Sequence, residues 1–319
     1  MGAGWVAGTV RAKAMARRAL GADAARQLAA STSLGEAQRQ LQATPFRSAA
    51  ETRLSLDEAQ HAVAATILWD MRVLAGWLPR DGVSLLRLLA GWFEIANVDE
   101  LLQALAGRPS GAEFQLGALA TAWPRLREAS SAAEVRHVLS ASAWGDPGGE
   151  TDRDIRLGMR TRWAGRIAAS GDRARDWAAE AAALLTRARP SVPAIAGTPA
   201  EPGGSDAAQG RVRAVGRPVS PGRRGPAPVT RPRPQRPASG LAAEPAQAEP
   251  LQADPWHTEA GWWRKVEYEG RALLRSSATS SEPVLGAVVV MAADARRVRA
   301  ALGCAARGGR PLEVYDALG

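Results

Sequence analysis

Between Ser55 and Pro79 the apolar side chains recur at Ala59, Val63, Ile67, Met71, Leu74 and Leu78, in steps of three and four. That spacing places them on one face of a helix and excludes a half-buried strand, whose apolar residues would alternate. Ser55 with Glu58 forms the Ser-x-x-Glu signature of a helix start, in which hydroxyl and carboxylate each satisfy a free backbone N–H. The same signature recurs at Ser33 with Glu36 and at Ser131 with Glu134. Pro79 ends the first pattern and Asp81-Gly82 opens the next, where Leu85, Leu88, Leu89, Trp92 and Ile95 predict a buried stripe. Near the end of the chain Pro283 occupies a helix first turn, the place that tolerates proline. Val284, Val288, Met291, Ala295, Val298 and Leu302 follow at helical steps. Val288-Val-Val-Met alone would suit a buried strand, but the length of the pattern favours helix. With no hairpin signal and no pair of strands, the expected fold class is all-α.

Two segments repeat one another. Leu28, Ser33, Glu36, Ala37, Leu41, Thr44 and Phe46 match Leu126, Ser131, Glu134, Val135, Leu139, Ser142 and Trp144, each 98 residues further on. The physical reading is a small helical unit present twice, opened by the same cap and closed by an aromatic plug.

Composition divides the chain into three. Residues 190–255 hold 14 of the 21 prolines and few apolar residues other than alanine. Such a stretch cannot bury enough surface to offset its ordering entropy, so a long disordered Pro/Arg-rich linker is expected there. Residues 1–189 are then a helical body with two similar units, and 256–319 a C-terminal helical unit packing on that body. The net charge of +9 is concentrated in the linker, where Arg211, Arg213, Arg217, Arg223, Arg224, Arg231, Arg233 and Arg236 run without an acid. Elsewhere 33 basic residues face 32 acidic ones, so any polyanion binding would rest on the linker. Only Lys13 and Lys265 are lysines and alanine fills 68 positions, a usage typical of GC-rich coding that says little about function.

The residues carry little chemistry. Cys304 is the single cysteine, and His61, His137 and His257 are the only histidines, so neither a disulfide scaffold nor a zinc site is expected. Gly2, Gly4 and Gly8 have the wrong spacing for a dinucleotide loop. A Gly-x-x-x-x-Gly-Lys-Ser/Thr loop and a Gly-x-Ser-x-Gly elbow are both absent. Glu94, in Trp92-Phe-Glu-Ile-Ala-Asn97, is an acid on a largely apolar helix. It reads as a general acid, as an anchor that with Asn97 bonds a neighbouring helix, or as a solvated residue. Asp70, Asp99 and Asp176 read as solvated helix faces or caps, and Cys304 as a small packing residue. Trp262-Trp263 before Arg264-Lys265 suits one packed ring and one at a contact surface, although aromatic and basic neighbours also stack nucleic acid. No catalytic, cofactor-binding or metal-ligating residue is assigned, and no cofactor or small-molecule substrate is expected. The longest uncharged apolar run, Pro283 to Ala293, is too short to span a bilayer. No signal-peptide or myristoylation pattern opens the chain, so a cytoplasmic protein is expected.

Several segments in order resemble those of the C subunit of V-type (A/V-type) ATPases, the relative of the eukaryotic d subunit. Trp5-Val-Ala-Gly-Thr-Val-Arg11 through Met15, with Arg17-Arg-Ala-Leu20, is similar to that family's first helix. Ser33-Leu-Gly-Glu-Ala37 through Thr44-Pro-Phe46 resembles the unit that follows, and Leu126 to Gly145 its second copy. Phe93-Glu-Ile-Ala-Asn97-Val-Asp-Glu-Leu101 looks like its acidic-x-x-Asn helix, and Glu282-Pro283 through Arg299 its last long helix. The likeness covers residues 5–187 and 257–319; the linker departs from it and leaves the third unit short. The resemblance implies a helical funnel of repeated small units and a non-catalytic central-stalk adapter of a rotary ATPase. It would join the rotor shaft subunits to the membrane proteolipid ring in proton or sodium transport, peripheral at the cytoplasmic face of the membrane. The other reading is a helical nucleic-acid-binding or scaffold protein that uses the arginine-rich linker, with the steep salt dependence of counterion release.

Overall fold

The computed structural model describes residues 3–149, 151–171, 175–181, 255–309, 312, 315 and 316, with the backbone alone at 255–257. Among the described residues the regular structure is entirely helical, without a strand. The expected linker, apart from Pro255, lies outside the described residues.

The chain opens with α1 (Ala3–Ala16), α2 (Ala22–Ala29), α3 (Leu34–Gln40) and α4 (Leu56–Ala75). It continues through α5 (Arg80–Leu105), α6 (Trp123–Leu126), α7 (Ala132–Ser140) and α8 (Asp152–Ala168). Residues 175–181 are helical. The last two helices are α9 (Pro255–Arg275) and α10 (Ser281–Ala305). Pro255 thus starts a helix rather than ending the proline-rich stretch, as its missing N–H and fixed φ allow.

The stripes predicted for α4 and α10 face the core. Val63, Met71 and Leu74 are buried on α4, and Val284, Val288, Met291, Val298 and Leu302 on α10. α10 is buried on more than one face because it packs against α1, α2, α3, α4 and α9. Against α9 it approaches closely at Gly286. A Cβ there would lie 2.5 Å from the Gly270 carbonyl oxygen. A buried Glu267 on α9 holds Arg297 of α10 and, one turn along its own helix, Arg271.

The stripe of α5 is rotated from its prediction. Gly82, Leu86, Ala90, Phe93, Asn97 and Val98 are buried with Ile95, whereas Trp92 is exposed and Leu85 half-buried. Leu88 and Leu89 instead cover a smaller cluster with Trp163, Ile167 and Ala178. The rotation turns two polar residues, Glu94 and Asn97, inward.

The caps differ in one detail. Ser55 and Glu58 make the reciprocal pair. Ser33 and Ser131 accept from the Glu36 and Glu134 amides, but those carboxylates reach one residue further back. Glu36 accepts from the N–H and hydroxyl of Thr32, and Glu134 from those of Ser130. A fourth cap, Thr151 with Asp154, completes the start of α8.

Candidate partner-docking site

Glu94 is completely buried, and its two oxygens accept from the amides of Thr121 (2.8 Å) and Ala122 (2.5 Å). These are the two residues before α6, so the carboxylate satisfies N–H groups that a helix start leaves unpaired and lies at its positive end. One turn along α5, Asn97 accepts from the Phe114 amide (2.7 Å) and donates to the Phe114 carbonyl (2.9 Å). Glu100 accepts from the Gly111 amide at 2.5 Å. Three polar side chains of one helix therefore fasten the 106–122 connection. The partners of Glu94 and Asn97 are loop backbone, not the neighbouring helix expected, and Glu94 does not face water.

The fastened loop builds a groove. Phe114 stacks on His61 of α4 with ring centroids 4.1 Å apart, and meets Phe93 edge-on at 5.1 Å. Beside it, Glu113 accepts from the Trp123 indole N–H. His61, Glu113 and Phe114, with the outer side of α4 and the 43–48 turn, line a groove of about 920 Å³. Trp69 stands 58% exposed on its wall, with the Arg72 guanidinium 5.4 Å above the ring. Arg72 also donates to the Gln115 carbonyl, tying the loop to α4. Arg18, Arg47, Asp70 and Glu113 bring both signs of charge to the lining. Burial holds His61 below the ordinary imidazole range, against the pull of Glu100. A broad groove of mixed charge with an exposed tryptophan suits a protein surface. Among the described residues no group of three or more His, Cys, Asp and Glu is placed to hold a metal ion.

Asp294, which no sequence pattern singled out, does for α2 what Glu94 does for α6. It is buried on α10 and accepts from the Leu20 (2.7 Å) and Gly21 (2.8 Å) amides, the two residues before α2. Gly21 takes φ 85°, which only glycine adopts without strain. Burial raises the Asp294 pKa while the two amides oppose the shift. The repeated segments close alike as well. Thr44 donates to the Leu41 carbonyl and accepts from the Phe46 amide; Ser142 does the same with Leu139 and Trp144. Both aromatic plugs are buried.

The remaining sequence candidates scatter. Asp70 pairs with Arg18, and Asp99 with Arg156 and Arg160; neither is a solvated face, and burial raises both carboxyls. Asp176 is exposed, as is His137. Cys304 is buried near the end of α10. Trp262 donates to the Trp177 carbonyl and Trp263 lies under Arg296, so both rings are half-buried.

No protein-family model matches the chain, and no curated protein or solved structure proves similar to it.

Proposed function

We propose that the protein is a non-catalytic central-stalk adapter of a rotary V/A-type ATPase. It joins the rotor shaft to the membrane proteolipid ring in ion transport, at the cytoplasmic face. The observation that carries this reading is the pair of acid-clamped units. Glu94 of α5 holds the start of α6, and Asp294 of α10 holds the start of α2. The capped helices that follow in each unit end in the same Thr/Ser turn and aromatic plug. Repeated units of this kind, in an order of segments that resembles the V-type ATPase family named above, suit the funnel of that family. Torque transmission requires a body that does not bend, and close-packed alanine-rich helices joined by buried polar clamps provide one. The groove along α4, walled by Trp69 and Phe114, is the docking site that fits a helical shaft end.

The test is affinity capture of the full chain from detergent-solubilised membranes of its host, with Trp69→Ala as the second bait. Recovery of shaft and proteolipid subunits, with the shaft lost from the Trp69→Ala bait, supports the adapter. Recovery of neither, with ATP-driven ion pumping intact in a strain lacking the protein, overturns it. Retention of DNA that disappears when residues 205–245 are deleted would favour the nucleic-acid reading instead.

A further inference from the structure

Helix α9 turns one side to the body, where Val266, Glu267, Gly270 and Leu273 are buried. On its other side Arg264, Tyr268, Arg271 and Arg275 follow at steps of four, three and four, so they share one face, and all four are exposed. Tyr268, at 71%, is the most exposed large apolar side chain among the described residues. The face carries charge that the fold leaves uncompensated. Arg264 and Arg275 pair with no carboxylate among the described residues. Arg271 holds Glu267, but that buried carboxylate is shared with Arg297, so one negative charge serves two guanidiniums. The other acids of α9 are engaged elsewhere: Glu259 with Arg296, and Glu269 with the Trp177 indole N–H. Like charges one turn apart, as at Arg271 and Arg275, disfavour a helix by themselves, and an anionic partner relieves that repulsion.

We propose that this face of α9 docks an acidic helix of a partner protein, with carboxylates on successive turns paired to Arg264, Arg271 and Arg275 and the Tyr268 ring as the anchor among them. The four side chains span roughly 16 Å of helix axis, and an α-helix lying alongside presents carboxylates at the same repeat. A guanidinium takes a carboxylate through two parallel N–H donors, and Tyr and Arg are among the side chains that contribute most at protein interfaces. Single-stranded nucleic acid is a less suitable occupant, since it stacks successive bases on several rings. The neighbouring rings that could continue such a stack are engaged: Trp262 donates to the Trp177 carbonyl and Trp263 lies under Arg296. An anionic bilayer is less suitable too, because helices that lie in it bury Leu, Phe and Trp, and beside its charges this face offers only Tyr268 and Ala272. Helix α9 lines no part of the α4 groove, so the two surfaces are separate.

The probe is a fluorescein-labelled, alanine-rich synthetic peptide of about 20 residues, long enough to be helical, with four Glu spaced four, three and four. A twin peptide of the same composition spreads its Glu around the helix. Anisotropy is read with the full chain at about 0.05 M and about 0.5 M salt. The expected result is saturable binding of the first peptide, tighter than that of its twin and weakened by salt. Arg264→Glu with Arg275→Glu should weaken it about tenfold or more, and Tyr268→Ala about threefold or more. The melting temperature should stay within a few degrees, because these side chains are exposed. Arg223→Glu with Arg224→Glu makes the same change of charge in the proline-rich stretch and should leave binding unchanged. Absence of saturable binding, equal binding of the twin, or equal loss from the two double variants overturns the proposal. So does oligothymidylate or a phosphatidylglycerol vesicle that binds through Arg264 and Arg275 when the peptide does not.

Discussion

Glu94→Gln isolates the clamp on α6, because it keeps the size of the side chain and changes only what the two oxygens do. In the native protein one oxygen accepts from the Thr121 amide and the other from the Ala122 amide, in a site closed to water. Glutamine retains one acceptor. Its NH2 group meets a backbone N–H, so a donor faces a donor and neither is satisfied. Loss of one charge-assisted hydrogen bond costs about 1.5–3 kcal/mol, and each group left unpaired adds about 1–3 kcal/mol, partly recovered by local relaxation. We expect a net loss of about 3 kcal/mol, which at this chain length lowers the melting temperature by roughly 6–12 °C. Urea unfolding followed by tryptophan fluorescence measures the free energy. Native-state hydrogen exchange at Thr121 and Ala122 locates it, since these amides should lose protection before those of α10 do. A loss below about 1 kcal/mol, or unchanged exchange at both amides, would refute the view that this carboxylate fastens the loop. Asp294→Asn should act in the same way on Leu20 and Gly21. The double variant should be additive, since the two clamps lie on different helices and share no partner.

Gly286→Ala should destabilise the protein by about 1–3 kcal/mol, because the new methyl would lie 2.5 Å from the Gly270 carbonyl oxygen. A wild-type melting curve would show that α9 and α10 are not in such close contact. Burial pushes the Tyr315 phenol up to about 12. A raised folded value means that its contribution to stability is complete below the unfolded value of about 10 and is lost as pH rises toward the folded one. In a Tyr268→Phe background, absorbance at the phenolate band should therefore titrate well above pH 10, and a midpoint near 10 would count against its burial. His61 is held low by burial, so its contribution is present above about pH 6.5 and lost as pH falls through the lowered folded value. His61→Phe should flatten the pH dependence of stability in that acid range, and a slope identical to wild type would exclude His61 as its source.

What the sequence disclosed and what it hid follow from one physical difference. A long helix that presents one apolar face to a single core writes its orientation into a three-and-four spacing, which is why α4 was legible; in α10 the predicted stripe is buried too, but as part of a wider buried surface. Helix α5 packs on two sides, against α4 and against α8, so its apolar residues spread around the axis and the predicted stripe was turned. Trp92 is exposed for that reason, while Asn97 is buried. The short capped helices were legible because a cap is local, needing only a hydroxyl and a carboxylate three residues apart. The clamps were hidden because their partners are backbone amides, which any residue supplies, and these lie 27 residues away for Glu94 with Thr121 and 274 for Asp294 with Leu20. A usable signal did exist. Glu94 and Asp294 are each a lone acid inside an apolar helical run, Trp92-Phe-Glu-Ile-Ala and Met291-Ala-Ala-Asp-Ala. Burying such a charge is costly unless something donates to it. A carboxylate there thus points to a nearby helix start or loop whose amides need an acceptor.

The two clamps also bear on how the chain tolerates so long a proline-rich stretch before its last helices. Helix α5 precedes the short helices it holds, whereas α10 follows its own by the length of almost the whole chain. Yet α10 packs on α1, α2, α3 and α4, and Asp294 reaches the turn between α1 and α2. Its place is therefore fixed by the first unit as well as by α9, which leads into it. The entropy of closing a loop grows only with the logarithm of its length, each doubling costing about 0.6 kcal/mol. Lengthening the connection consequently costs far less than breaking either the Asp294 clamp or the Gly270–Gly286 contact would.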